Sequence, residues 1–196
     1  MAADWRAIVS EGVLGGAAGS VLSALALALA GRRQGPSAAA PINAPSQWVW
    51  GVHDAQRADD ADTRHTVTGY AVHHVAATWW AVLHATALGD LPGFDRPTRA
   101  LAAAGVTAAL AAWVDLKCTP ERFTPGFQHR VSAPALLATY GAFAAGLGLA
   151  SMLLRRQRAL AGQRPSVERT PHVPAGPWPE RARVRPGSTA DRAPSR

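Results

Sequence analysis

The chain contains a single cysteine, Cys118, and a single lysine, Lys117. One thiol excludes an internal disulfide and any cysteine-rich metal site. The positive charge therefore rests on nineteen arginines, a preference that points to genome composition rather than to phosphate recognition. The net charge of +7 comes largely from the C-terminus, where ten of those arginines lie beyond Leu154. No RNA- or DNA-binding motif accompanies them, and no aromatic residues are interleaved, so no nucleic-acid partner is expected. A cytoplasmic C-terminus obeying the positive-inside rule accounts for the arginines more simply. There is no H-E-x-x-H. The acidic run Asp54, Asp59, Asp60 and Asp62, interleaved with Arg57 and Arg64, lacks the glycine and terminal glutamate of an EF-hand loop and reads as a solvated charge run. Broken helices and internal repeats, the marks of a transporter midplane, are also missing.

What is present is four apolar runs, residues 12–31, 67–88, 100–116 and 133–154. Each is long enough to cross a hydrocarbon core of roughly 30 Å at about 1.5 Å per residue. They predict an all-α, polytopic membrane four-helix bundle over residues 1–156, with no further folded domain. Residues 157–196 are rich in Arg, Pro and Ser. Such a segment buries too little apolar surface to offset its ordering entropy, so it is expected to be a disordered tail. The basic stretch 155–158, where the bundle gives way to this tail, would sit beside the membrane and attract anionic lipid. A signal peptide ending at Ala28-Leu29-Ala30 is the competing reading of the N-terminus. Arg6 is offset there by Asp4 and Glu11, and the apolar run is long for a signal core, so an uncleaved helix is expected.

The first run is built for close packing. Gly12, Gly16, Ser20, Ala24 and Ala28 recur at every fourth position, with Gly15, Gly19 and Ser23 on a neighbouring row. Small residues at this spacing let two backbones approach in lipid, where van der Waals contact drives association. Leu22, Leu25, Leu27 and Leu29 are left to face lipid tails and neighbours. The fourth run repeats the small stripe at Ala138, Ala142, Gly146 and Ala150, with Tyr140 as its polar interior group. These stripes fit helix packing within the chain or between copies, and so admit a homodimer or another membrane protein as partner.

The stretch 64–84, R-H-T-V-T-G-Y-A-V-H-H-V-A-A-T-W-W-A-V-L-H, carries more imidazole and indole than lipid contact needs. Polar side chains inside a span are costly, and each is a site candidate. His73, Trp80 and His84 share one helix face, His74 projects about 100° away, and His73 and His84 are about 16 Å apart along the axis. The preceding loop, 35–66, is proline-rich, and its prolines argue against a continuing helix. Its Trp48 and Trp50 suit the headgroup level. The polar stretch 115–132 contains Pro125-Gly126, a type II turn signal, flanked by Phe123 and Phe127. Ser132 is a candidate N-cap for the fourth helix, with Pro134 in its first turn.

With four spans, the second helix begins, the third ends and the fourth begins on one side. That brings Tyr70, His73 and His74 level with Asp115, Glu121 and His129, the candidate polar site. A sharp reading makes His73, His74, Asp115 and His129 a centre for Zn²⁺ or non-haem Fe(II). Bis-histidine haem lacks a second axial ligand, since the first, third and fourth helices contain no histidine. The plainer reading has His73, Tyr70 and Asp115 hydrogen-bonding between helices, with His84 and Trp80 as interfacial anchors and no cofactor. On balance the sequence favours a structural or accessory membrane protein rather than an enzyme. The alternative is a membrane enzyme or transporter with a His/Asp metal or proton-handling centre on one face of the second helix.

The motifs P-I-N-A (41–44), W-V-W-G (48–51), R-H-T-V-T-G-Y-A-V-H-H (64–74) and T-P-E-R-F-T-P-G-F-Q-H-R (119–130) give the chain a resemblance to small uncharacterised four-span inner-membrane proteins of bacteria. The resemblance supports a multi-pass protein of the bacterial cytoplasmic membrane and carries no catalytic roles; the even number of spans and the basic tail are what place both termini in the cytoplasm.

Overall fold

A computed structural model describes residues 4–89 and 91–162. Every element among them is helical. Four helices are long: α1 (Trp5–Gln34), α2 (Thr68–Leu88), α3 (Pro97–Trp113) and α4 (Ala133–Gly162). A π-helical turn, Thr63–Val67, leads into α2, and another, Val114–Cys118, ends α3. Three stretches, Trp5–Gln34, Pro97–Cys118 and Ala133–Gly162, are long and apolar enough to cross a membrane. Helix α2 is not among them, because its histidines and threonines dilute its apolar content. The tail expected to be disordered lies outside the described residues from 163 onward. Residues 157–162, assigned to that tail from composition, instead belong to α4.

The distribution of side-chain sizes is inverted relative to a protein folded in water. Large apolar residues such as Leu25, Val75, Val106, Leu110 and Leu137 are exposed, the last at 76 %. The interior is mostly Ala, Gly and Ser, joined by a few large groups including Leu27, Phe127, Phe143 and Leu147. Leu27 is therefore interior, not outward as its neighbours Leu22, Leu25 and Leu29 are. A small-residue interior under a large apolar exterior is what packing in lipid favours.

The two small rows of α1 serve two different neighbours. A Cβ built on Gly16 would lie 2.5 Å from Thr78 Cα, and one on Gly12 would collide with Val82, so this row faces α2. Gly15 and Gly19 face Leu147 and Phe143 of α4, at 2.9 and 2.6 Å from such a Cβ. Residue numbers fall on one partner as they rise on the other, so α1 runs antiparallel to both α2 and α4. Helix α3 packs chiefly on α4, where Gly148 meets Leu101 and Ala104. The α4 stripe is shifted from its expected register. Its buried positions are Thr139, Phe143, Gly146, Leu147, Gly148 and Ser151, while Ala142 is half-buried and Ala138 exposed. Phe143 and Leu147 can fill that face because α1 presents glycines opposite them.

The 35–66 connection is more helical than its prolines suggest, with short turns at Ala40–Asn43, Ala44–Ser46, Gln47–Trp50 and Val52–Ala55. Pro41 and Pro45 fall in the first turns of such pieces, where a missing N–H costs nothing. Two buried amides hold the connection. Asn43 Nδ2 donates to Ala58 O and Asp60 O, both at 2.9 Å, while its Oδ1 accepts from the Thr66 hydroxyl at 2.7 Å. Gln47 Nε2 donates to Glu121 O and Thr124 O, each at 2.9 Å, tying this segment to the 119–131 loop. That loop turns at Gly126, whose φ is +78° and whose Cβ, if present, would lie 2.7 Å from Gln47 Oε1. Arg130 closes the other side through Gln56 Oε1 at 2.9 Å and Asp59 Oδ1 at 2.5 Å.

The turn into α2 is capped by Asp62, whose carboxylate accepts the His65 backbone N–H and the His65 ring Nδ1–H, the latter at 2.8 Å. The backbone bond, then the ring bond, hold the Asp62 carboxyl below the ordinary aspartate range. A depressed folded-state pKa contributes stability above the unfolded value and loses it as pH falls through the folded value. Acidification below about pH 4 is therefore expected to loosen this cap. Hydrogen exchange at the His65 amide should accelerate there in the native chain and show no such acid step in Asp62→Asn.

Candidate functional site

Three histidines of α2 make bonds to hydroxyls of neighbouring helices. His73 Nε2 lies 2.8 Å from Ser23 Oγ, and His74 Nδ1 lies 2.8 Å from Ser20 Oγ, both on α1. His84 Nδ1 lies 2.8 Å from Thr107 Oγ1 on α3. Each hydroxyl already donates to a carbonyl of its own helix: Ser23 to Gly19 O at 2.7 Å, Ser20 to Ala17 O at 3.0 Å and Thr107 to Ala103 O at 3.1 Å. A hydroxyl has one proton, so the tautomer of each ring decides whether the imidazole donates to the oxygen or the hydroxyl turns from its carbonyl to donate to the ring. The other ring nitrogen faces away from the hydroxyl. For His84 it is buried and has no hydrogen-bond partner among the described residues. His84 is only 3 % exposed, so it sits between helices rather than anchoring at the interface.

His73 and Asp115 border one cavity of about 60 Å³. Every long helix contributes to it, as do Trp48 and the Phe123 and Phe127 side chains of the 119–131 loop. Asp115 projects from the π turn at the end of α3, and its Oδ2 accepts the Tyr140 hydroxyl at 3.0 Å. Trp80, expected as an interfacial anchor, is instead a cavity wall. Phe127 packs edge-on to both His73 and Tyr140, with ring centroids 6.1 and 6.4 Å apart. The aromatic flanks of the Pro125-Gly126 turn thus have different roles: Phe127 is buried, while Phe123 is 45 % exposed and meets Trp48 edge-to-face.

The remaining candidates are not brought to this point. His74 turns to α1 because adjacent helical residues diverge by about 100°, and Tyr70 lies against the His74 ring at 5.9 Å. Glu121 and His129 are exposed and border a separate depression with Lys117 and Thr119. The expected metal set His73, His74, Asp115 and His129 is therefore dispersed. Among the described residues no three His, Cys, Asp or Glu side chains are grouped to hold a metal ion.

Sequence reasoning missed a second polar centre at the opposite end of α1. Glu11 is 1 % exposed. Its Oε1 accepts from Ser151 Oγ at 2.5 Å and Arg155 Nε at 2.8 Å, and its Oε2 accepts from Arg158 Nη1 at 3.0 Å. Tyr140 is accordingly not the lone polar interior group of α4, since Ser151 and Thr139 are buried as well. A usable signal existed in the antiparallel pairing of the glycine rows, which sets residue 11 beside 151. A scan against protein-family models and searches of curated proteins and of solved structures found no match.

Proposed function

We propose that the chain is a four-span bundle of the bacterial cytoplasmic membrane, with both termini cytoplasmic, whose role is structural or accessory rather than catalytic. The observation that carries this reading is that His73, His74 and His84 hydrogen-bond to hydroxyls on adjacent helices. A site poised for catalysis keeps its imidazoles near substrate; here they join helices. The same bonds let α2, which carries three histidines, cross beside α1 with those histidines turned inward. Membrane lipid covers the exposed leucines and valines. The glycine rows of α1 are consumed within the chain, so a second copy or another membrane protein would dock on a different face.

The test is metal content and visible absorbance of the protein purified in mild detergent, beside a His73→Ala/His74→Ala variant. The expected result is an unchanged ligand content and a variant destabilised by about 2 kcal/mol, from interhelical bonds of about 1 kcal/mol each. Stoichiometric Zn, Fe or haem that disappears in the variant would overturn the reading in favour of a membrane enzyme or electron carrier.

A further inference from the structure

We propose that the cavity beside Asp115 binds an organic ammonium group, either a protonated amine or a quaternary ammonium. The argument rests on what its walls can still offer. The Tyr140 hydroxyl is committed to Asp115, the Ser23 hydroxyl to Gly19 O, the Thr139 hydroxyl to Ala135 O at 2.9 Å, and the Trp48 indole N–H to Thr124 O at 3.1 Å. The Trp80 ring lines the same cavity as Asp115. What remains on Asp115 is its second oxygen, an acceptor. A ligand that brings its own donor meets that oxygen, whereas an anion would face a carboxylate.

Charge points the same way. Among the described residues, Asp115 is the one carboxylate on the cavity wall and has no ion-pair partner. Around it stand the rings of Trp48, Trp80, Phe123 and Tyr140, whose negative π faces attract cations, most strongly tryptophan's. A carboxylate within an aromatic enclosure selects an ammonium carrying alkyl groups over a bare, strongly hydrated metal cation. The volume of about 60 Å³ exceeds the roughly 10–15 Å³ that one water needs, which leaves room for a small substituted ammonium. Trp48 and Phe123, respectively 37 % and 45 % exposed, are the most accessible lining aromatics and give the cavity its outlet.

Such a group can arrive as a free amine or as the headgroup of a lipid such as phosphatidylethanolamine. The experiment uses the full chain in an amine-free detergent, titrated with choline and followed by tryptophan fluorescence. Saturable quenching is expected, weakened about ten-fold or more in Asp115→Asn, as for a lost charge-assisted bond, and about three-fold in the rim variant Phe123→Leu. The rim variant keeps the test usable should Asp115→Asn fold poorly. Repeating the titration in phosphatidylglycerol nanodiscs with and without phosphatidylethanolamine separates the sources. Competition by the lipid identifies a headgroup, and its absence a free amine. No saturable response to choline or ethanolamine, or a response indifferent to both variants, would overturn the proposal.

Discussion

Glu11→Leu is expected to destabilise the protein by about 3–5 kcal/mol, the range for removing one partner of a buried ion pair. The variant leaves Arg155, whose side chain is 11 % exposed, with Gly89 O at 3.0 Å as its remaining hydrogen-bond partner among the described residues. Arg158 suffers less, being 40 % exposed and also bound to Ala7 O and Ser10 Oγ. The cost is one of stranding rather than of lost attraction, so it should be largely relieved by removing both charges. Glu11→Leu/Arg155→Met is predicted to recover more than half of the loss, because a buried pair exchanged for apolar groups of similar volume is often neutral. Denaturant unfolding in mixed micelles measures all three. A single variant as stable as the native chain would show that water reaches the pair freely.

The second large effect concerns the closest approach of α1 and α4. A Cβ on Gly146 would lie 2.6 Å from Ala18 O and 2.7 Å from Ala18 C and Gly19 N, all of them backbone. Backbone within a helix cannot swing aside, so Gly146→Val must push the helices apart. A loss at or above the upper end of the roughly 1–3 kcal/mol seen for overpacking is expected. Gly105→Ala is the matched control. It adds a methyl to a helix position with nothing within 4 Å and should stabilise by about 0.5–1 kcal/mol through helix propensity. If the two variants melt alike, close approach is not what the glycines provide.

These expectations show how unevenly the sequence and the fold share the information. The apolar runs located three membrane-length helices and the long α2 to within a few residues, apart from the ends of α1 and α4. Those two ends were misjudged for one reason. Glu11, Arg155 and Arg158 look like solvated charges in one dimension and neutralise one another only when α1 and α4 lie antiparallel. The glycine rows were legible as close-packing surfaces because a four-residue spacing is a local property of one helix. Their assignment, one row to α2 and the other to α4, was not, because it depends on which helix stands on which side.

The candidate site divides along the same line. Connectivity alone placed His73 and Asp115 at one level, and the fold sets both on the wall of one cavity. Connectivity fixes height along the axis but not azimuth, so it could not tell that His74 turns to Ser20 or that Glu121 and His129 stay outside. Asn43 and Gln47, within the P-I-N-A-P-S-Q stretch, were invisible as structural residues, because an amide shows its worth only beside the carbonyls it bonds. What the sequence determined by itself is where the chain is apolar, where it can pack closely and at what depth its polar groups lie. Which polar groups of the long helices meet was decided by tertiary structure alone, since hydrogen bonds and ion pairs act over about 3 Å and those partners lie 23 to 151 residues apart in the chain.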